Sequence, residues 1–416
     1  MKFMPINYQE LITNLSKGAG IALLLSLFIY TEHFSLSNTA LNTLSALLGF
    51  YFLLSQKGTV VIFAGGFIGL LWFYWIGYSF EYYKVGWMLP LITLFFILLY
   101  ALFFSVLALT NQPIYRALLL FGLSYVEPMD WNWLQLELPF INSYFGVEKW
   151  QYALILLALS LFIFLSKHSY KRPYHYGALL LLLGAIDYTT PQLTPPDIRI
   201  KLYDPQLLQE KKWLPQNRQA IIAQNLKAIE DATKQKYDLV VLPESAFPLY
   251  LNHNSNLIQR LKYYSYKIDI ITGALYAEND LHYNVSYHFS KGKMDIAKKL
   301  VLVPFGEYVP LPSFLKQWVN DTFFDGSSDF VTATAPTDFI IKGIPFRNAI
   351  CYEATCEEIY EGDPAYVIAI SNNGWFHPSI EPTLQKLLMQ FYSKKHHSII
   401  YHSANMGGEG IVGYKE

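Results

Sequence analysis

Three residues of different chemical type each adjoin an apolar run in the second half of the chain. Cys351 ends one such run, Glu244 follows another, and Lys299 stands directly before a third. A thiolate can attack a carbonyl carbon, a carboxylate can take up and return the proton, and an ammonium group can stabilise the oxyanion that forms. If the fold brings the three side chains together, they predict a site for acyl transfer.

Each of these residues also has an ordinary structural interpretation. A lone Cys is more often a buried inert side chain, and Cys351 could instead form a disulfide with Cys356 in an oxidising compartment. Glu244 could cap a helix or lie in a solvated loop, and Lys298 and Lys299 could be a solvated pair at a strand edge. Because acidic residues follow Cys351 and would raise the pKa of its thiol, a nucleophilic role requires a nearby cation.

The elements that must position these residues are short apolar runs, which alternate with amphipathic segments from about residue 197. Runs such as LVVLP and YVIAIS are apolar without alternation, which is typical of strands buried on both faces. The predicted strands are Ile198–Tyr203, Tyr237–Pro243, Ile268–Ala274, Tyr283–Phe289, Leu300–Val303, Phe346–Cys351 and Ala365–Ser371. The predicted helices cover 214–233, 254–266, 311–320, 354–361 and 382–396. This order indicates an α/β or α+β sandwich with a largely buried sheet.

The first half has a different composition, and this explains why the 416-residue chain is 53% hydrophobic but only 15% charged. Residues 1–190 contain 17 charged residues, whereas the other 226 contain 46. Two charge-free stretches, 58–80 and 85–115, exceed the roughly 20 residues that a membrane-spanning helix needs. Further candidate spans lie at 18–32, 38–55, 115–126, 151–166 and 174–189. The pattern predicts a transmembrane helical domain of about seven spans over 1–190 and a second domain over 191–416, without a cleaved signal peptide.

Basic residues indicate how these spans are oriented. If the N-terminus is cytoplasmic, the cytoplasmic segments carry seven basic residues, which are Lys2, Lys17, Lys57, Arg116, Lys167, Lys171 and Arg172. Only Lys84 and Lys149 fall outside, in agreement with the positive-inside rule. An odd number of spans then predicts a bacterial inner-membrane protein whose second domain is periplasmic. A formal net charge of −1 gives no overall field that would attract nucleic acid, so we expect no such partner.

Four motifs of the second half are LPES, KKLVLVPFGEYVP, ICYE and ISNNGWF. In order and spacing they resemble the carbon–nitrogen hydrolase (nitrilase) superfamily. With membrane spans before them, they resemble its membrane-anchored branch, the apolipoprotein N-acyltransferase family. The resemblance covers about residues 197–405 by motif, and it implies a nitrilase-like α-β-β-α sandwich for the second domain.

The motifs also imply roles for individual residues. By resemblance, Glu244 of LPES matches the general base and Cys351 matches the nucleophile. Lys299 matches the catalytic lysine because it stands three residues before Leu302, as the family pattern requires. The implied supporting residues are Glu307, Tyr352 and Glu353. The implied substrate-binding residues are Trp213, Asn372 and Trp375.

The reaction that the resemblance implies transfers a fatty acyl chain in two steps. Cys351 attacks a phospholipid ester and becomes a thioester, and the N-terminal amine of the diacylglyceryl-cysteine of an apolipoprotein then takes the acyl chain as an amide. Both substrates are anchored in the lipid bilayer, and we expect the enzyme to act as a monomer. Two other functions stay open: a membrane-tethered amidase or nitrilase for a small amide, and a transporter or sensor with an inactive nitrilase-like domain.

The C-terminal end departs from the family pattern. The family usually has an eighth span after the catalytic domain, whereas this sequence stops at Glu416, so either the lineage is short or the C-terminus is missing. The segment SKKHHSIIYHSANMGGEG stands where the family tends to have an Arg-containing strand and an Asn-Thr-Gly turn. Its His396, His397 and His402 lack carboxylate or Cys partners at ligand spacing, which predicts a polar helix end. We expect no metal and no cofactor.

Overall fold

The computed structural model describes residues 8–82, 85–168, 173–188, 193–304, 306–308 and 330–414. Contacts within the chain divide it into two units. The first contains Met1–Phe80 and Gly86–Thr189, and the second contains Glu81–Val85 and Thr190–Glu416. The predicted helix 311–320 lies outside the described residues.

The N-terminal region is helical, because a helix satisfies the backbone hydrogen bonds of a long apolar segment internally, as a bilayer requires. Its α-helices are α1 (Tyr8–His33), α2 (Thr39–Ser55), α3 (Gly58–Phe73), α4 (Ser79–Tyr82), α5 (Leu89–Ser105), α6 (Pro113–Leu123), α7 (Lys149–His168) and α8 (Leu181–Gly184). Within the described ranges, four helical segments are long and apolar enough to cross a membrane, namely Tyr8–His33, Gly58–Tyr82, Gly86–Leu109 and Lys149–Lys167. Three shorter apolar helices are Thr39–Ser55, Pro113–Leu123 and Tyr174–Gly184. The predicted apolar helical region is confirmed.

Two β-sheets form the centre of the second unit. The strands are β1 (Ile200–Leu202), β2 (Leu239–Val241), β3 (Phe247–Tyr250), β4 (Asp269–Glu278), β5 (Leu281–Ser290), β6 (Lys293–Lys298), β7 (Asp338–Ile341), β8 (Ile344–Ile350), β9 (Tyr366–Asn372), β10 (Ile399–Asn405) and β11 (Gly410–Val412). The six-stranded sheet has the order β1-β2-β4-β5-β6, with β3 also paired to β4, and the five-stranded sheet has the order β11-β10-β9-β8-β7. Strands β1, β2 and β4 are mutually parallel, as are β8, β9 and β10.

The two sheets pack face to face between helices. Val241 and Ile271 of the first sheet lie in one apolar cluster with Ile350 and Ile368 of the second. In the described residues of this unit, the α-helices are α9 (Gln209–Lys212), α10 (Arg218–Lys234), α11 (Ser255–Tyr264) and α12 (Glu381–His396). Apolar residues of α10 and α11 cover the other face of the first sheet, and α12 contacts β10 and β11 of the second. The predicted α-β-β-α sandwich is confirmed.

Two predicted elements are wrong. The segment Leu300–Val303 is a loop, and the strand of this region, β6, ends at Lys298. The reason is that the backbone N–H groups of Leu300 and Val301 donate to the carboxylate of Glu353 instead of to a neighbouring strand. The predicted helix 354–361 is replaced by two 3-10 turns, Cys351–Thr355 and Glu357–Tyr360.

Five strands have no counterpart in the sequence prediction: β3, β6, β7, β10 and β11. Strand β10 shows why, because its buried sequence IIYHSAN mixes polar with apolar residues. His402 there contacts Ser371 Oγ at 2.8 Å, and Ser403 donates to the carbonyl of Val241 at 2.9 Å. Polar side chains that find partners inside the fold can be buried at low cost, and they hide the strand from a hydropathy pattern.

Candidate active site

Glu244 lies just beyond β2 and is held between backbone and side-chain contacts. It is buried, and its Oε1 accepts a hydrogen bond from Nδ2 of Asn284 at 2.7 Å. A Cβ on Gly273 would lie 2.6 Å from Cα of Glu244, so β4 can pass this close only because residue 273 is Gly. Ser245, the next residue, has φ of +49°, which turns the chain sharply away from the strand. The carboxylate is therefore directed to Asn284 by its surroundings.

Lys299 follows β6 directly and is 1% exposed. Its Nζ lies 2.7 Å from Oε2 of Glu307. Burial acts to lower the pKa of Lys299, but Glu307, followed by Glu244, Cys351 and Glu353, raises it, and the net shift is upward. The buried side chain is therefore an ammonium ion at neutral pH, which is the cation that a thiol among carboxylates requires.

Asn284, on β5, joins the two carboxylates of this side of the site. Its Nδ2 donates to Glu244 Oε1 at 2.7 Å and to Glu307 Oε1 at 3.1 Å, and its backbone carbonyl accepts from the backbone N–H of Lys299 at 2.9 Å. Oε2 of Glu307 also accepts from the backbone N–H of Val303 at 2.9 Å. Glu244, Asn284, Glu307 and Lys299 therefore form one continuous network.

Cys351 begins a 3-10 turn at the carboxyl end of β8, with φ of +57°. A non-glycine residue seldom adopts this conformation, so the chain changes direction sharply where the side chain is presented. The residue is partly exposed, but its thiol lies deep enough that burial, followed by the charge of Glu244, raises its pKa well above the ordinary value, against the opposing effect of Lys299. In the resting state Cys351 is a neutral thiol that needs a base to become a nucleophile.

Cys351 and Cys356 are both free thiols, so the disulfide interpretation is wrong. Cys356 is buried, and its Sγ donates to the carbonyl of Tyr352 at 3.4 Å. It therefore belongs to the packing behind the turn that carries Cys351.

Glu353 fixes that turn to the loop that follows β6. Its Oε1 accepts from the N–H of Ile350 at 2.6 Å, and its Oε2 accepts from the N–H groups of Leu300 and Val301 at 2.7 and 3.1 Å. Burial raises the pKa of Glu353 to about 7, although Lys299 and the three N–H groups act to lower it. Glu353 thus ties the segment that carries the thiol to the segment that carries the ammonium.

The remaining predicted residues lie around this network or behind it. Tyr352 is buried, and its carbonyl accepts a hydrogen bond from Oγ1 of Thr355 at 2.6 Å. The ring of Trp375 is half-buried and packs edge-on against Tyr82, a residue of the same unit, with ring centroids 5.7 Å apart.

Asn372 and Trp213 are connected through helix α9. Nδ2 of Asn372 donates to Oε1 of Gln209 at 2.9 Å, and its Oδ1 accepts from Nδ2 of Asn405 at 2.9 Å. Gln209 begins α9, and Trp213, which is 39% exposed, follows the end of that helix. Asn372 is 2% exposed, so it anchors the arm that bears Trp213 from within.

Sequence reasoning missed Asn284, Lys212, Glu381 and Gln385. Lys212 is 2% exposed, and its Nζ donates to the carbonyl of Glu244 at 3.0 Å. Burial lowers the pKa of Lys212 to about 8, although Glu244 and Cys351 act to raise it. The sequence carries a weak signal for Lys212, since it stands beside Trp213 in KKW, but none for a contact between residues 32 positions apart.

The prediction that the three histidines form a polar helix end is correct for His396 but not for His402. His396 lies in the last turn of α12, and its Nε2 is 3.0 Å from Glu357, whereas His402 lies in strand β10 and is fully buried. In the part of the chain that the structure describes, there is no group of three or more His, Cys, Asp or Glu side chains that could hold a metal ion.

This chain is similar to proteins of one family. Residues 12–188 match the family profile described as "Apolipoprotein N-acyltransferase integral membrane domain". The apolipoprotein N-acyltransferase of Wolinella succinogenes is 40% identical over 95% of this chain and 96% of that protein. The Campylobacter jejuni enzyme of the same name is 32% identical over 99% of this chain and 92% of that protein. A CN-hydrolase superfamily structure from Xanthomonas campestris gives a TM-score of 0.39 at 13% identity, over 51% of this chain and 77% of that one.

Proposed function

This chain belongs to the apolipoprotein N-acyltransferase family, and from that premise we propose how its residues carry out the reaction. The acyl donor is a membrane phospholipid, and the acceptor is the N-terminal amine of a diacylated apolipoprotein. The enzyme is a membrane protein, so it meets both substrates in the bilayer that holds them.

The observation that carries the mechanism is the placement of Glu244, Lys299 and Cys351 beyond the ends of β2, β6 and β8. Glu244 takes the proton from the neutral thiol, and the thiolate attacks the ester carbonyl of the phospholipid. The ammonium of Lys299 stabilises the oxyanion, and collapse of the tetrahedral intermediate forms the thioester and expels the lysophospholipid alkoxide, which takes the proton from Glu244.

In the second step the acceptor amine attacks the same carbonyl carbon. The carbon–nitrogen bond forms, the carbon–sulfur bond breaks, and Glu244 moves the amine proton to the departing thiolate, which restores the thiol. Glu307 and Glu353 keep the ammonium and the thiol-bearing turn in place. We propose that Trp213 and Trp375 contact the substrates directly. Asn372 acts on them through the arm that it anchors. One chain supplies every group, so a monomer suffices.

We place the catalytic unit on the periplasmic side of the bacterial inner membrane. The support is the distribution of basic residues, seven in the proposed cytoplasmic segments against two outside. We take 1–190 as the membrane domain and 191–416 as the catalytic domain.

The test is incubation of the detergent-solubilised enzyme with phospholipid, followed by addition of a diacylated lipopeptide and mass spectrometry. We expect an acyl adduct on Cys351 and then an N-acylated peptide. Cys351→Ala should form neither, whereas Cys356→Ala, a matched control in the same turn region, should form both. N-acylation at the normal rate by Cys351→Ala would contradict the mechanism. Release of free fatty acid with no N-acylated peptide would identify a hydrolase instead.

A further inference from the structure

Helix α12 places two polar side chains beside the nucleophile, and the mechanism above uses neither of them. Glu381 and Gln385 are one helical turn apart, so they lie on the same face of α12. They are 1% and 0% exposed, and Nε2 of Gln385 lies 4.0 Å from Sγ of Cys351. Glu381 is also among the groups that raise the pKa of Cys351, as expected for neighbouring groups.

Each of these side chains has an oxygen without a hydrogen-bond partner. Among the residues that the structure describes, Oε2 of Glu381 and Oε1 of Gln385 are buried and accept no hydrogen bond. A buried polar atom left in this state costs about 1–3 kcal/mol, so a group that donates a hydrogen bond to it is bound favourably. Two such oxygens on one helix face beside a nucleophile indicate a place where a ligand supplies the missing donors.

The protonation state of Glu381 limits which kind of ligand can bind there. Burial, followed by the negative charge of Glu244, raises the pKa of Glu381 well above its ordinary value and so favours the neutral carboxylic acid. A carboxylate would hold an ammonium ion, which has no lone pair and cannot attack. Two uncharged oxygens instead accept hydrogen bonds from a neutral amine and leave its lone pair free.

We propose that Oε2 of Glu381 and Oε1 of Gln385 bind the N–H groups of the primary amine acceptor and direct its nitrogen at the acyl group on Cys351. This assignment rests on the proposed function, and it concerns the second step only. As the carbon–nitrogen bond forms, one amine proton passes to Glu244 and from there to Sγ of Cys351 when the carbon–sulfur bond breaks. Glu381 holds the amine and keeps its own proton.

The experiment measures the two steps separately with three variants of the full-length enzyme. Thioester formation is followed with phospholipid alone, and thioester decay is followed after addition of the diacylated lipopeptide. In Glu381→Leu we expect thioester formation within about threefold of wild type and decay slowed about 10- to 100-fold, because one hydrogen bond to the amine is lost. Glu381→Gln keeps an uncharged oxygen at the same place, so its decay rate should stay within about threefold. Glu358→Leu, at an exposed acid of the same unit, is the matched control.

Thermal unfolding separates a binding role from a structural one. Replacing an unpartnered buried carboxyl by Leu removes an unsatisfied polar atom, so Glu381→Leu should melt at the wild-type temperature or above it. A lower melting temperature together with equal slowing of both steps would overturn the proposal, as would unchanged decay in Glu381→Leu. If wild-type enzyme forms no thioester, the proposed function fails and the amine site fails with it. If wild type completes both steps and Glu381→Leu does so equally fast, only the amine site fails.

Discussion

The two sides of the candidate site differ in how far their polar groups are already partnered. On the side of the six-stranded sheet, Glu244, Asn284, Glu307 and Lys299 form a continuous network of hydrogen bonds and an ion pair, in which Oδ1 of Asn284 has no hydrogen-bond partner among the described residues. On the side of α12, oxygens of Glu381 and Gln385 have no partner among the described residues. The first side needs no rearrangement to stabilise charge, which is the condition for strong electrostatic catalysis. We infer that a substrate completes the second side.

The two sides of the site also differ in the charge of their buried groups. The network side contains the buried ammonium, whose pKa is raised overall. On the α12 side, burial raises the pKa values of Cys351 and Glu381 and so favours the neutral thiol and the neutral carboxylic acid. A proton must therefore move before the thiol can react, and Glu244 of the network is its proposed acceptor. We infer that the network side drives the chemistry and that the α12 side selects and orients the nucleophile of the second step.

The largest effect should come from opening the network at Lys299. Lys299→Met removes the cation and leaves the partly buried Glu307 without its ion-pair partner, and breaking a fully buried ion pair costs about 3–5 kcal/mol in comparable cases. We expect thioester formation to fall at least about 1,000-fold, measured by mass spectrometry of the adduct, because both oxyanion and thiolate lose their support. The melting temperature should also fall.

Lys298→Met is the matched control for this change. Lys298 is adjacent in sequence, but its Nζ lies 3.7 Å from the centroid of the Tyr283 ring and 3.5 Å from Glu278, away from the network. We expect its activity within about threefold of wild type, since exposed ion pairs contribute about 0–1 kcal/mol. A double variant, Lys299→Met with Glu307→Gln, should regain stability but not activity. Recovery of activity in the double variant would contradict a role for the ammonium itself.

Much of this arrangement could be predicted from the sequence, and the reason lies in its buried strands. The segment before Glu244 is continuously apolar, and the segment before Cys351 is apolar apart from Arg347 and Asn348. The strands and their ends are therefore readable, and motif resemblance selects Lys299 over Lys298. The division into two units is equally visible in the distribution of charged residues along the sequence. What joins the residues is not visible, because Asn284 reaches Glu244 across 40 positions and Glu307 across 23.

The α12 side escaped prediction for a different reason. Glu381 and Gln385 stand in an ordinary amphipathic helix, where an acid near the N-terminus is expected on the surface. Only the packing of that helix over Cys351 buries them, and no local pattern encodes this. The strand prediction for Leu300–Val303 is wrong for the same reason, because the backbone N–H groups of Leu300 and Val301 donate hydrogen bonds to the distant Glu353.

A smaller effect should come from removing the link between the two carboxylates. Asn284→Leu has similar volume but donates to neither Glu244 nor Glu307, and each lost bond to a charged group is worth about 1.5–3 kcal/mol. We expect both thioester formation and its decay to slow by about 10- to 100-fold, because Glu244 serves both steps. Asn252→Leu, which loses bonds to the backbone of Ala277 instead, is the control and should retain its rates. Slowing of the decay step alone would place Asn284 with the acceptor rather than with the base.

The smallest effect on activity should come from Glu353→Gln, and its signature is pH dependence. Since burial raises the pKa of Glu353 from 4.5 to about 7, its contribution to stability is fully present below about pH 4.5 and is lost as pH rises through about 7. The melting temperature of wild type should therefore fall between pH 6 and pH 8 by more than that of Glu353→Gln, in which this group cannot titrate. Activity at pH 6 should change by less than about tenfold, because Gln still accepts one backbone N–H and the wild-type acid is largely protonated there. If the two melting curves keep a constant separation over this range, Glu353 is ionised throughout, and the thiol-bearing turn is held by a permanent charge, like the network side.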